Sequence, residues 1–334
     1  SYLPDDIYLY ELGSIKSLNS IYAMLKLIWR IKPDVVLSTL GYVVTASLVS
    51  ILSPKNTIFV SRFGNTISSF FQEVKRNNRL KYYLQYIANK LVIYLSDIII
   101  VQSNHMLDDV SKTLSLKEKF MKKIIKINNP ISVDSINLNA KTKAIPGNLE
   151  KIFNNNFVFI SVGRLDYQKN YESLIKAFKA VNELNHNSRL VILGEGNYRD
   201  TLEELIVELD IVDFVSLLGF VDSPEPIVSH SDFFVSSSFY EGVSNALLES
   251  LALGVPAIAT DCPSGIGEII INGENGYLVS MKGDIVKNLS ERMSFVIKDN
   301  RKLDSKRISK RIREGFDSKF VIKEYEKVLN QLLN

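Results

Sequence analysis

Short runs of consecutive apolar residues alternate along the chain with longer stretches in which apolar residues recur every three or four positions. The short runs predict strands over Asp34–Ser38, Thr57–Ser61, Asp97–Gln102 and Ile124–Ile127. A second set follows at Phe157–Val162, Leu190–Gly194, Phe214–Leu217, Asp232–Ser236, Pro256–Thr260 and Gly276–Val279. DIIIVQS, NFVFISVG and RLVILGEG are almost continuously apolar, as parallel strands covered on both faces are. Helical periodicity fills the intervals, for example in Tyr171–Leu184, Arg199–Leu209 and Ser244–Leu253. Strand–helix alternation at this spacing predicts α/β architecture, with right-handed βαβ units and open parallel sheets.

The pattern breaks once. After NNPISVDSI comes NLNAKTKAIPGNLEKIFNNN, polar and turn-rich, before a new strand starts at Phe157. The expected division is a first domain over 1–136, a linker over 137–155, a second domain over 156–317 and a final helix over 318–334. Two doubly wound domains of this kind leave a cleft outside the carboxyl ends of their strands, where ligands bind. The first domain opens on a polar lead-in and has only four strand candidates, so its first β-α-β unit is expected to be missing from the sequence.

Length and composition agree with two globular domains: 334 residues, 46% hydrophobic and 23% charged. They exclude a disordered tail, a collagen-like repeat and a disulfide-built miniprotein. A single cysteine, Cys262, excludes an internal bridge and points to a reducing compartment. No secretory signal opens SYLPDDIYLY. The uncharged stretch 35–54 is long enough to span a bilayer, but its serines, threonines and Gly41 favour a buried strand followed by a core helix. The expected location is therefore the cytoplasm, with peripheral attachment to the inner face of the membrane.

Charge is uneven. Residues 1–135 carry +7 and the remainder −4. FFQEVKRNNRLKYYLQYIANKLVIY, residues 70–94, interleaves Lys75, Arg76, Arg79, Lys81 and Lys90 with Phe and Tyr. Such a helix suits an anionic membrane surface, and it equally suits a core-facing helix with a solvated back. No nucleic-acid recognition module is visible, so nucleic acid is not an expected partner.

Three segments carry chemistry. FYEGVSNALLESLALGVPAIATD places Glu241 and Gly242 in a loop after a strand, and Glu249 on the helix that follows. Gly242 permits close backbone approach, and the N–H groups of Val243, Ser244 and Asn245 at the helix start suit a phosphate. Carboxylates such as Glu241 and Glu249 accept paired hydrogen bonds from sugar or ribose diols; taken singly, each could equally be an ordinary solvated acid. SVGRLDYQKN ends a strand in Gly163 and presents Arg164 and Lys169, two cations placed for a diphosphate, although Arg164 could instead pair with Asp166. LVILGEGNYRD gives Gly194-x-Gly196 after a strand, too short for a nicotinamide fingerprint.

In this order the segments resemble the GT-B retaining glycosyltransferases of family four. The resemblance covers Phe157 to the C-terminus and, more loosely, Pro33 to Pro130. Its most specific element is the E-x7-E spacing of Glu241 and Glu249, flanked by GR…K, G-x-G and GVPAIATD. ATDCPSGIGEIIINGENGYLV is similar to the members that assemble bacterial surface polysaccharide. The resemblance implies a nucleotide-sugar donor, UDP-linked by preference, and a glycan or polyprenyl-diphosphate-linked acceptor. It implies that Arg164 and Lys169 hold the donor pyrophosphate, that Glu241 faces the sugar and that Glu249 binds the ribose. Gly163, Gly194, Gly196 and Gly242–Asn245 would line the donor site, and the last helix would pack back toward the first domain. No metal or other cofactor is expected, the nucleotide sugar being a substrate. Many relatives place a histidine in the first domain where this chain has Phe63; Arg62 and Asn65 are the expected substitutes. His105, His186 and His230 read as structural or surface residues. A hydrolysing 2-epimerase of the same fold and a non-catalytic nucleotide-sugar-binding protein are the alternatives.

Overall fold

In the computed structural model the described residues are 6–13, 17–145, 147–299 and 303–333. The first five residues of the polar lead-in therefore lie outside them. The chain divides into two compact units, one running to Lys126 and taking in the chain from Lys327, the other Ile127–Glu326.

The first unit holds four parallel strands: β1 (Val35–Thr39), β2 (Ile58–Arg62), β3 (Ile98–Val101) and β4 (Ile124–Lys126), side by side in chain order. The uncharged stretch 35–54 resolves into β1 and the helix Val43–Ser50, and no described helix is long and apolar enough to cross a membrane. Every β3 side chain is buried, as its unbroken apolar run requires.

The second unit holds β5 (Phe157–Val162), β6 (Ser188–Leu193), β7 (Val215–Leu217), β8 (Phe233–Ser236), β9 (Ala257–Thr260) and β10 (Gly276–Val279). They form one parallel sheet in the order β10-β9-β8-β5-β6-β7. Alternate side chains feed two cores. Phe159, Leu190, Ile192 and Val235 meet the helices Tyr171–Leu184 and Ile285–Lys298. Val158, Ile160, Val191 and Phe234 meet Asn245–Ala252 and Ser305–Phe316 on the opposite face. The sheet is thus doubly wound, and its strand order reverses between β5 and β8, the switch point at which such sheets bind ligands.

The expected linker, 137–155, lies inside the second unit. A helix over Val133–Thr142 buries Val133 and Ile136, and Leu149 joins the same core. Ile131 makes a parallel bridge with Asp317, and Asn128 donates to Gly315 O at 2.9 Å. Three or four apolar anchors in a polar segment suffice to fix it, which is too sparse a signal to register as a period. The change of unit falls earlier, at Lys126.

Candidate functional site

The loops that leave β5 and β8 meet at the switch point. Asp166 caps the short turn Tyr167–Lys169, its Oδ1 accepting from Lys169 N at 3.2 Å. Asn170 then takes the left-handed conformation (φ 51°), which asparagine tolerates better than most residues, and starts the helix Tyr171–Leu184. Asn170 Nδ2 donates to Ser237 O (3.2 Å), while Ser237 Oγ lies 2.8 Å from Lys169 O and 3.0 Å from Asn170 O. Phe239 N donates to Gln168 O at 2.8 Å. The Tyr167 and Phe239 rings close the outside, 4.9 Å apart.

This lacing brings two of the predicted residues into contact. Lys169 Nζ lies 2.6 Å from Glu241 Oε1, with side chains only 17% and 7% exposed. Ser238 Oγ donates to the same oxygen at 2.8 Å, and Gln168 Nε2 donates to Oε2 at 3.1 Å and to Tyr240 O at 2.9 Å. Lys169, Ser238 and Gln168 together fix the direction of this buried carboxylate. Hydroxyls of Ser161, Ser236, Ser237, Ser238 and Ser244 border an adjoining crevice of about 10 Å³, with room for roughly one water. Tyr171 also lines it; among the described residues its buried hydroxyl has no hydrogen-bond partner, and burial pushes its pKa up.

Arg164 is placed differently. Its side chain is 75% exposed and pairs with Asp166 at 3.3 Å. The glycines beside it have a packing role. A Cβ on Gly163 would meet Lys169 Cε at 3.0 Å, and one on Gly194 (φ 144°) would meet Gly163 O at 1.9 Å. One on Gly196 would meet Leu165 O at 2.2 Å. Gly194 and Gly196 hold the β6 loop against the loop that carries Arg164 and Lys169.

Glu249 sits half-buried on the helix Asn245–Ala252. Burial first, and the nearby Glu225 second, raise its pKa above the usual carboxylate range. Ser244 caps the helix, its side chain accepting from Leu247 N. Gly242 O accepts from Gly265 N at 2.8 Å, and Glu241 N donates to Pro263 O at 3.3 Å, so the CPSG loop braces the Glu241 turn from behind. Asn245 Oδ1 accepts from Asn129 at 2.8 Å.

Arg62 and Asn65 belong to the other unit, at the carboxyl end of β2, where Arg62 Nη1 lies 3.3 Å from Thr39 Oγ1 and Asn65 is exposed. Phe63 between them is a core residue, 6% exposed. His186 lies beside the Phe214 ring, and His230 Nδ1 is 2.8 Å from Pro226 O at the end of a short helix.

Gln168, Ser238 and Glu225 were not singled out by the sequence reading. Gln168 and Ser238 adjoin motif residues but follow no spacing rule. Glu225 reaches the neighbourhood of Glu249 from the helix Glu225–Ser229, where Asn139 donates to its Oε1 at 2.8 Å.

The structure shares its fold with sucrose-phosphate synthase from Thermosynechococcus elongatus (TM-score 0.78, 17% identity, 98% of this chain and 81% of the other). It is equally similar to Anabaena HepE in complex with UDP-glucose (TM-score 0.77, 16% identity, 93% and 82%), which identifies the expected GT-B architecture. In sequence the chain is 33% identical to an uncharacterized glycosyltransferase of Methanocaldococcus jannaschii over 269 residues, covering 78% of this chain and 63% of that one. It is 35% identical over 202 residues to a Campylobacter jejuni N-acetylgalactosaminyltransferase whose name specifies a diphospho-undecaprenol-linked acceptor, covering 59% and 52%. The chain thus spans between half and two thirds of the length of these curated relatives. The family described as glycosyl transferases group 1 matches residues 148–315, half of the chain and all six strands of the second unit, and this protein belongs to it.

Proposed function

We propose that the protein is a retaining glycosyltransferase. It moves a hexose or N-acetylhexosamine from a nucleoside diphosphate sugar, UDP-linked by preference, to a glycan or lipid-linked acceptor in surface-polysaccharide synthesis. The observation that carries the reading is the Lys169–Glu241 contact at the switch point of the second sheet. A cation and a hydroxyl-accepting carboxylate stand together at the switch point, where sheets of this kind bind ligands, and such a pair suits a sugar diphosphate.

In this reading Lys169 and Arg164 stabilise the departing diphosphate, with the Gly242–Asn245 turn and the N-terminus of the helix Asn245–Ala252 adding backbone donors. Glu241 accepts from the donor sugar's hydroxyls, and Glu249 accepts from the ribose diol. The bond from the anomeric carbon to the phosphate oxygen breaks as the acceptor oxygen bonds to the same face of that carbon. The acceptor's proton passes to the leaving phosphate, so no separate side-chain base is needed. A lipid-linked acceptor places the reaction at a membrane surface, in keeping with the named Campylobacter relative and with the basic first 135 residues.

The test is to incubate the protein with UDP- and GDP-sugars, with and without lipid extract, and to follow nucleoside diphosphate release. Release that depends on acceptor supports the reading. Acceptor-independent release with an altered sugar, or binding without turnover, overturns it.

A further inference from the structure

Helix Arg79–Leu95 has two apolar sides. Val92 and Ile93 are buried, and Tyr82 and Tyr86 set their rings against Phe71 at 5.6 and 6.0 Å, so one side belongs to the core of its unit. Leu80, Tyr83, Leu84, Ile87, Leu91 and Tyr94 are between 40% and 70% exposed. At 3.6 residues per turn these six fall in one stripe about 100° wide, along a helix about 25 Å long. A lone exposed leucine is ordinary; six large apolar residues in one line are not.

The charge on the helix itself has one sign. Between Val74 and Ser96 the chain carries Lys75, Arg76, Arg79, Lys81 and Lys90 and no Asp or Glu. On the helix Lys81 lies along one border of the stripe, and Arg79 and Lys90 lie along the other. Lys90 stands 5.1 Å over the Tyr86 ring, beside the stripe rather than in it. An apolar band edged on both sides by long cationic stems matches the boundary between acyl chains and anionic headgroups, where the apolar side chains enter and the cations stay at headgroup level.

We infer that the outer face of helix 79–95 lies flat on an anionic lipid surface. The inference names the surface that would bring the protein to a lipid-linked acceptor, yet it stands without any particular donor or acceptor.

Flotation of the whole chain with lipid vesicles tests it. The protein rises with vesicles of phosphatidylcholine mixed with phosphatidylglycerol and stays down with phosphatidylcholine alone, and added salt weakens the association. Replacing Lys81 or Arg79 by Ala weakens it about fivefold each. Leu84→Glu combined with Leu91→Glu, both exposed and outside the core, abolishes it while leaving the circular dichroism spectrum unchanged. No flotation with the anionic vesicles, equal flotation with both lipids, or flotation indifferent to these substitutions overturns the inference. So does a solution dimer that Leu84→Glu makes monomeric, since a second copy would then cover the stripe. Flotation is read without turnover, so failure of the transferase reading leaves this result standing and the reverse also holds.

Discussion

Lys169 Nζ and Glu241 Oε1 are 2.6 Å apart across 72 positions of sequence, in a pair largely removed from water. Removing one partner of such a pair leaves the other buried and uncompensated. Lys169→Met strands a carboxylate that loses its paired cation while keeping the Ser238 and Gln168 donors. The expected loss is about 3 kcal/mol of unfolding free energy, read by urea denaturation. Glu241→Gln in the same background restores part of it by removing the stranded charge. Under the proposed function, Lys169→Met also lowers turnover by about 10²–10³-fold, the effect of removing one preorganised donor to a developing anion. A loss of less than about threefold, well under that range, removes Lys169 from the mechanism.

Glu249 carries a different expectation because its carboxyl is pushed upward, by burial and then by Glu225. Only the ionised form accepts both hydrogen bonds of a ribose diol. As pH falls into the raised range the group takes up a proton, so the donor KM should rise while kcat changes less. Glu249→Gln should give a high donor KM that no longer responds to pH over that interval. Donor KM measured across pH for both proteins decides it, and an unchanged pH dependence in the variant assigns the titration elsewhere.

All ten predicted strands formed, within about two residues at each end, because each is a compact apolar run bounded by turn residues. Lys169 and Glu241 were legible for a related reason, since motif residues at strand ends in a parallel α/β sheet gather at one edge, and these two meet there at 2.6 Å. The partners that fix this pair were not legible. Gln168 acts through a turn whose geometry depends on the left-handed Asn170, and Ser238 through a loop held by Ser237, neither of which has a periodic signature. Arg164 and Lys169 looked equivalent by spacing, but the chain turns between them and sends Arg164 to solvent and Lys169 inward. The segment 137–155 looked like a linker because the residues that anchor it, such as Leu149, are isolated in a polar background.

Glycine substitutions separate packing from mere flexibility. A methyl on Gly196 would stand 2.2 Å from Leu165 O and 2.7 Å from Leu165 C, backbone atoms that cannot rotate away. Gly196→Ala must shift the loop carrying Lys169 and should cost about 1–3 kcal/mol in thermal unfolding, with weaker donor binding. Gly315, in the helix Ser305–Phe316, has nothing within 4 Å of its added methyl. Gly315→Ala should raise stability by up to about 1 kcal/mol by improving helix propensity. Equal effects at the two sites would refute the packing role of Gly196.

Asp134 offers the clearest acid-dependent contact. Its Oδ1 accepts from Arg313 at 2.6 Å and its Oδ2 from Lys319 at 2.6 Å, tying the helix Val133–Thr142 to the helix Ser305–Phe316 and to the start of the helix Ser318–Leu333. The hydrogen bond from Lys319, then that from Arg313, holds its carboxyl at about 2, below the ordinary 3.8. A depressed carboxyl stabilises the fold above its unfolded value, and that contribution is lost as pH falls from 3.8 toward 2. The Asp134 side chain is 54% exposed, so the effect is small and screened. Asp134→Asn should therefore lower Tm slightly at neutral pH, with the two curves converging through that acid interval and lying closer together at high salt. A Tm difference that stays constant across the interval would mean that the paired cations contribute nothing through charge at this position.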